Sequence, residues 1–563
     1  MEEKEIEQAL ANVIQDVFKV EVRPVLTRPD EQFGDYATNV ALQLSGRVNQ
    51  PPRQVADLII EHLDGTTTLI EIKRTKAAGP GFINITLNDA ALLLQAIQAP
   101  TRKPQTYKDQ VVVTEYSDPN PFKVLHAGHL YTSVVGDAIS NLIAMAGGQV
   151  HRVNFGGDVG LHVGKTMWAI VQALGGEYPE KLHDIPEHQR SDWLTNQYIK
   201  GTAAYEDDEQ AKTDIIELNK EVYRFHTEND HDSPLAQIYW ICRQWSYDYF
   251  DQFYARIGTQ FEKYYPESQT SAKGLQTVRE QHDRGVYKQS NGAIVFEGEP
   301  YGLHTRVFIN SQGLPTYEAK DVGLIMAKWQ DYHFDRSLVI TGNDIVEYMK
   351  VVLKSIEQFQ PELAKRSVHL THGNVKLQGG VKMSSRKGNI LRATDVLDAA
   401  HNANKAVTGR DDEQAVLGAV KYAFLKQRIG PDLIYDPAES VSLQGNSGPY
   451  LQYAHARARS ILAKAKQDRT APNAEAGLEP AERSLARKIG EYPEVLQQAV
   501  TDLMPHHICT YLYELAQVFN RFYEHNRVVG DARETLRLHL VRAYADVLQD
   551  GLTLLGIAAP QKM

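Results

Sequence analysis

The stretch from Val111 to Met145 constrains the fold more than any other. The apolar run Val111-Val112-Val113 leads into the polar Ser117-Asp118-Pro119-Asn120-Pro121. Leu130, Val134, Ala138, Leu142 and Met145 then recur at helical spacing as far as Gly147-Gly148. A buried strand, a proline-bearing turn and a long one-faced helix, in that order, form the opening unit of an open α/β sheet. Strand-like and helix-like stretches alternate onward to about residue 375. Val150 to Phe155, Ala293-Ile294-Val295-Phe296, Thr305 to Ile309 and Ser337 to Thr341 read as further strands of that sheet, with a helical insertion over about 165–265. The expectation for 106–375 is a doubly wound parallel sheet.

The flanks differ in kind. Residues 1–105 read as a separate small α+β domain. Ile6, Leu10, Val13 and Val17 stripe a first helix, and Pro51-Pro52 opens a second carrying Val55, Leu58 and Ile59. Thr68 to Ile72 and Phe82 to Leu87 are strand-like on either side of the turn Ala78-Gly79-Pro80-Gly81, and Thr101 to Gln105 reads as the linker out. From about 376 the pattern is helical, with a loop and connecting region over 376–435 and a bundle over 436–563. Leu451, Ala454, Ala458 and Ile461 stripe one of its helices, Ile508, Leu512, Leu515, Phe519 and Phe522 a second, and Leu536, Leu540, Tyr544, Val547 and Leu548 the last. The acidic run Glu206-Asp207-Asp208-Glu209 reads as a solvated loop. The fold class expected is therefore α/β plus all-α.

Composition mainly excludes. A chain of 563 residues holds roughly three or four domains. No apolar run approaches the ~18 residues of a membrane span, and Met1-Glu2-Glu3-Lys4-Glu5 lacks the order of a signal peptide. Cys242 and Cys509 cannot build a disulfide framework or a four-cysteine zinc site. A reduced, cytoplasmic protein without membrane contact is expected. The net charge of −11 argues against unspecific grip on nucleic acid, yet leaves room for a partner on a local basic track.

Two stretches carry the chemistry. His126-Ala127-Gly128-His129 falls where strand should give way to helix, a point where free N–H groups and the helix dipole favour an anion. Gly128 admits a ligand to the backbone, and the imidazoles can donate to phosphate oxygens or to charge building there. A zinc pair or two helix-capping histidines are the other readings. A zinc pair needs further ligands, and no obvious candidates are present, so no resident metal is expected. The second stretch, Lys382-Met383-Ser384-Ser385-Arg386-Lys387-Gly388, follows Gly379-Gly380. A cationic, hydroxyl-rich loop between glycines suits closure over phosphates.

Together these stretches resemble the two signatures of class I aminoacyl-tRNA synthetases, and the finer match is to the arginyl-tRNA synthetases. The resemblance runs through Gly34 to Asn39, Gly79 to Asn84, Glu115 to Asn120, Gly157-Asp158, Thr316 to Asp321, Gly445 to Arg457, Leu554 to Ile557 and the terminal Pro560-Gln561-Lys562-Met563. It implies a Rossmann-type catalytic domain with a helical anticodon-binding domain. It implies ATP-dependent activation of L-arginine, with Mg2+ accompanying the ATP, and transfer to the terminal adenosine of tRNA(Arg). The substrate carboxylate attacks the α-phosphate, so positioning and charge stabilisation do the work. By resemblance His126 and His129 contact the triphosphate, Gly128 admits the adenosine, and Lys382, Met383 and Ser384 belong to the closing loop. Lys382 would neutralise departing pyrophosphate. A monomer is expected.

A guanidinium wants planar carboxylates. Glu115 ends the first strand, and Tyr317 and Asp321 stand four apart on one helical face. Both match the family's arginine-recognition positions, with Ser117 and Asn120 toward the α-amino and carboxylate ends. Asn343-Asp344 is a further candidate. No long inserted editing domain is visible, as suits an amino acid with few mimics. On the tRNA side, Phe82 and Asn84 would meet the D-loop at the tRNA elbow. Tyr450, Tyr453 and Arg457, with Met563, would meet the anticodon. The chain departs from the family at Ser385, where a lysine is usual. Lys123, three residues before His126, stands where similar enzymes carry a substitute. Tyr131, Val159 and His162 replace the usual Arg, Trp and Gln. Tyr131, Val159 and the altered loop motivate one alternative, a catalytically inactive tRNA-binding paralogue.

Overall fold

The computed structural model describes residues 3–64, 72–378, 391–465 and 477–563. Its centre is a five-stranded sheet: β1 (Val111–Glu115), β2 (Gln149–Gly156), β3 (Lys263–Pro266), β4 (Arg336–Gly342) and β5 (Ser367–His372). The spatial order is β5-β4-β1-β2-β3 and every pairing is parallel. β1 is the inner strand from which the chain first winds one way, to β2 and β3, and then the other, to β4 and β5. That reversal opens a crevice at the carboxyl ends of β1 and β4. Val112 and Val113 are buried within the sheet, as a strand covered on both faces requires. Helix α1 (Ala127–Met145) follows β1 and buries Leu130, Val134, Ala138 and Leu142.

Two of the expected strands lie elsewhere. Ala293–Phe296 and Arg306–Ile309 pair antiparallel with each other, and Ala293–Phe296 pairs with Lys288–Ser290, in a separate three-stranded sheet. The link from Ser290 to Ala293 is Asn291-Gly292, both at positive φ (47° and 80°). That is the two-residue hairpin turn, and a link so short cannot make the crossover that parallel neighbours need. β3 and β5 supply the two outer strands instead. The run Glu206–Glu209 is exposed, but it is a helix junction and not a loop. Asp208 accepts hydrogen bonds from Gln210 N and Ala211 N (2.8 and 3.0 Å) and caps the helix Glu209–Thr227. In the N-terminal domain the order Tyr36–Thr38, Phe82–Leu87, Ile72–Ala78 makes an antiparallel sheet. The strand-like run 68–72 lies outside the described residues except for Ile72.

Helices fill the C-terminal part, among them Glu413–Leu425, Gly448–Lys464, His506–His525 and Glu534–Leu554. The N-terminal domain docks on this bundle through Arg28–Glu494 (2.7 Å) and Asp89–Arg483 (2.6 Å). The C-terminal tail ties the bundle to the domain of the five-stranded sheet. Asn141 of α1 and then Lys421, Gln452 and His455 donate in turn to the carbonyls of Leu554, Gly556, Ala558 and Pro560 (3.1, 2.7, 2.9 and 2.9 Å).

Candidate active site

The loop after β1 is strained and fastened on every side. Ser117, Asp118 and Phe122 hold positive φ (75°, 49° and 69°), a region non-glycine residues occupy only when their surroundings impose it. The impositions are visible. Ser117 Oγ and Tyr254 Oη share a hydrogen bond of 2.7 Å, and Asp118 Oδ1 accepts from Phe155 N (2.8 Å). Asn120 Oδ1 accepts from Gly157 N (3.0 Å), Phe122 N donates to Ser246 Oγ (2.9 Å) and Val124 N donates to Thr195 Oγ1 (3.0 Å). Tyr254 and Ser246 lie on helix α2 (Pro234–Ile257), so the insertion holds the loop.

His126 is the N-cap of α1. Its Nδ1 accepts from Gly128 N and its own N–H donates to His129 Nδ1, both at 3.1 Å, with the rings stacked 3.7 Å apart. The helix-capping reading is thus realised, and it serves the anion-site reading. Each Nδ1 is an acceptor, so each neutral ring carries its proton on Nε2. Burial and the nearby Lys123 hold His126 down at about 4, and burial with His126 holds His129 well below the usual range. Both rings are neutral donors at physiological pH. Gly128 leaves room for the His126 ring, because a Cβ there would meet His126 Cε1 at 2.8 Å. Lys123 Nζ lies 4.3 Å from the Tyr198 ring centroid. The chain returning at 391 is bonded to this turn: Ala127 N donates to Leu391 O (2.8 Å) and Ala393 N to Leu125 O (2.9 Å).

Beside the histidines lies an acidic pocket. Glu115 and Asp321 are buried, Asp118 beside them is half-buried, and their nearest cation is Lys328, wholly buried and ion-paired to Glu115. Asp321 and Lys328 lie on helix α3 (Tyr317–Tyr332), seven positions apart and so on one face. Burial first, and Glu115 second, push the carboxyls of Asp118 and Asp321 well above the carboxylate range. Tyr317, 56% exposed at the start of α3, stands at the mouth. Glu267 pairs with Lys320 at 2.5 Å on the adjoining wall. His162 donates from Nε2 to Gly157 O (2.7 Å), while its buried Nδ1 has no partner among the described residues. Burial and Lys123 lower His162 to about 3.

The structure brings Glu115, Asn120, Lys123, His126, Gly128, His129, Tyr317 and Asp321 to the ends of β1 and α3. The Ser117 hydroxyl is committed to Tyr254. Lys382, Met383 and Ser384 lie outside the described residues. Phe82 (42% exposed) and Asn84 share the outer face of their strand, opposite the buried Ile83 and Ile85. Tyr453 and the terminal Met563 are exposed. Tyr450 is tied to Asn520 Nδ2 (2.8 Å), and Arg457 lies over the Tyr523 ring at 4.6 Å. Tyr131 packs against His372 and Phe424, and Val159 against the Phe122 cluster, so both departures are buried core positions. Sequence reasoning missed Asp118 in the pocket and Lys328 and Tyr348 behind it. Asp118 lies within the Glu115 to Asn120 motif and Lys328 follows Asp321 at helical spacing, whereas no spacing marks Tyr348.

Comparison with known proteins agrees with this geometry. Residues 90–435 match the catalytic-domain model of class I (R) tRNA synthetases, residues 3–87 the arginyl-tRNA synthetase N-terminal domain and residues 451–563 the DALR anticodon-binding domain. An arginine–tRNA ligase of Treponema pallidum is 30% identical, over 95% of this chain and 94% of its own. One from Bacteroides thetaiotaomicron is 27% identical, over 96% and 95%. The arginyl-tRNA synthetase structure from Thermus thermophilus superposes with a TM-score of 0.80 at 24% identity, over 100% of both chains. With its catalytic, N-terminal and anticodon-binding parts all matched, the chain belongs to the arginyl-tRNA synthetase family of class I.

Proposed function

We propose that this arginine–tRNA ligase binds L-arginine in the pocket of Glu115, Asp118 and Asp321 and ATP at the His126–His129 turn. The observation that carries the assignment is the charge count. Among the described residues the acidic side chains of Glu115, Asp118 and Asp321 share one lysine, and burial raises two of them, so the pocket lacks the second cation that a guanidinium supplies. Glu115 and Asp321 take the guanidinium, Tyr317 covers it, and Asn120 with Ser117 faces the α-amino and carboxylate end. The arginine carboxylate then attacks the α-phosphate. The Nε2–H groups of His126 and His129 stabilise charge on the phosphates without themselves changing protonation. Lys123 adds a fixed positive charge beside them, and Lys382 with Met383 and Ser384 would act from the second motif.

ATP brings Mg2+ bound to its own phosphates. Phe82 and Asn84 contact the elbow of tRNA(Arg), and Tyr453, with Tyr450, Arg457 and Met563, its anticodon. No helix of the described chain is long and apolar enough to cross a membrane. We take the enzyme to act as a cytoplasmic monomer. No observation favours the inactive paralogue: of the departures that motivate it, Tyr131 and Val159 are packing residues, and the altered loop at Ser385 lies outside the described residues.

The test is charging of tRNA(Arg) with radiolabelled arginine and ATP, beside Glu115→Gln and Asp321→Asn. Each variant should raise the KM for arginine and leave the KM for ATP unchanged. Unaltered arginine KM in both would remove the pocket assignment, and no charging by the parent enzyme would remove the activity.

A further inference from the structure

The two carboxylates assigned to the guanidinium are each held from behind by a residue outside the pocket lining. Lys328 Nζ donates to Glu115 Oε2, and Tyr348 Oη donates to Asp321 Oδ2. Among the described residues neither Glu115 Oε1 nor Asp321 Oδ1 receives a side-chain hydrogen bond, so each carboxylate is gripped by one oxygen and has the other free. Lys328 is wholly buried on α3, and Tyr348 opens helix α4 (Val346–Glu357). Tyr348 is braced in turn. The Arg306 guanidinium lies 5.6 Å from its ring centroid and pairs with Glu318 at 3.2 Å. Arg306 belongs to the separate antiparallel sheet, which thereby supports the pocket.

We propose that Lys328 and Tyr348 are positioning residues that set the arginine specificity of the site. They fix the planes of Glu115 and Asp321 and present one oxygen of each toward the guanidinium. A planar fork needs two oxygens in register more than it needs charge alone. Lys328 does a second thing. The charged groups around the cluster are Asp118 from the loop, Asp321, Lys328 and Glu318 from α3, and Glu267, with Glu318 paired to Arg306 and Glu267 to Lys320. Lys328 opposes the proton uptake that burial favours, so without it the cluster of Glu115, Asp118 and Asp321 would hold still more protons. The inference rests on the arginine-pocket reading, which the Glu115 and Asp321 variants test separately.

The experiment compares Tyr348→Phe, Lys328→Met and Lys328→Arg with the parent full-length enzyme in tRNA charging and tRNA-supported ATP–pyrophosphate exchange. Tyr348→Phe removes one oxygen and should raise the KM for arginine by about tenfold or more, as loss of a hydrogen bond to a charged group does, with the KM for ATP unchanged. Lys328→Met should raise arginine KM further, and more at about pH 6.5 than at about pH 8.5, because the unpaired cluster is more fully protonated at the lower pH. Lys328→Arg keeps a cation in place and should restore a value within about threefold of the parent. A residue that merely holds the fold would lower the melting temperature and total activity without this KM split or pH signature. If Glu115→Gln and Asp321→Asn raise arginine KM while Tyr348→Phe does not, the positioning role is overturned and the pocket stands. Should Lys328→Met fail to fold, Tyr348→Phe alone decides.

Discussion

Gly128→Ala should separate stability from catalysis. The added Cβ would sit 2.8 Å from His126 Cε1 and 2.9 Å from His126 Nδ1, closer than real side chains approach. Gly128 is in helical backbone with no positive φ, so the backbone tolerates alanine and alanine favours the helix. The imidazole must therefore swing away. It loses the bond from Gly128 N at 3.1 Å and its stacking on His129 at 3.7 Å. Loss of a cap costs about 0.5–2 kcal/mol, partly returned by the better helix former, so the melting temperature should fall by no more than about 4 °C. The chemical step suffers more. His126 Nε2–H leaves the position from which it donates to the phosphates, and removing one such preorganised donor costs about 100- to 1000-fold in kcat, ~2.7–4 kcal/mol. The assay is tRNA-supported ATP–pyrophosphate exchange beside a thermal melt. A folded Gly128→Ala enzyme with kcat within about threefold of the parent would show that the His126 ring position is immaterial, and the argument from the capped turn would fail.

Three further outcomes follow from the same geometry. Asp118 and Asp321 are raised above the carboxylate range by burial and then by Glu115. A guanidinium pairs with the ionised form, so arginine binding expels protons and its KM should fall as pH rises from about 6 to about 8. Groups raised in the folded state stabilise it at low pH and lose that contribution as pH climbs through the folded value. Arginine offsets the loss, so the thermal shift it produces should be larger at about pH 8 than at about pH 6, and equal shifts would contradict the coupling. Lys123→Ala should slow arginine activation by far more than it changes arginine KM, and an unaltered rate would refute its phosphate role. Tyr453→Ala should raise the KM for tRNA by roughly five- to 100-fold, the range for losing one base-stacking partner. Tyr450→Phe, which loses only the bond from Asn520, should stay within about threefold. Equal effects would show that exposure does not mark the stacking residue.

The fold was legible wherever periodicity and local turn chemistry agree. The valine run of β1, the one-faced α1 and the glycine pair that ends it need no tertiary knowledge, because each is decided by burial along a single element. Ala293–Phe296 and Arg306–Ile309 show where that logic fails. Their residues suit a strand, yet strand character does not say which sheet a strand joins. The deciding signal was Asn291-Gly292, whose left-handed pair closes a hairpin and so forbids a parallel crossover. Lys263–Pro266 is too short to stand out from the end of a helical insertion, and it becomes a strand because β2 offers it an edge.

The site was legible in its first layer only. His126, Gly128 and His129 are close in sequence, and Tyr317 with Asp321 shares a helix face, so spacing alone places each set. Lys328 also follows Asp321 at helical spacing, but its partner Glu115 lies on a different element 213 residues away. Tyr348 reaches Asp321 from the next helix, 27 residues on. Pairings of that kind depend on strand order: β4 must lie beside β1 before α3 and α4 can face the end of the first strand. The carboxylates are thus written in the motif, while the groups that orient them are set by topology. A sequence that kept Glu115, Asp321 and both histidines but placed apolar residues at 328 and 348 would still match the family. By the reasoning above, it would bind arginine poorly.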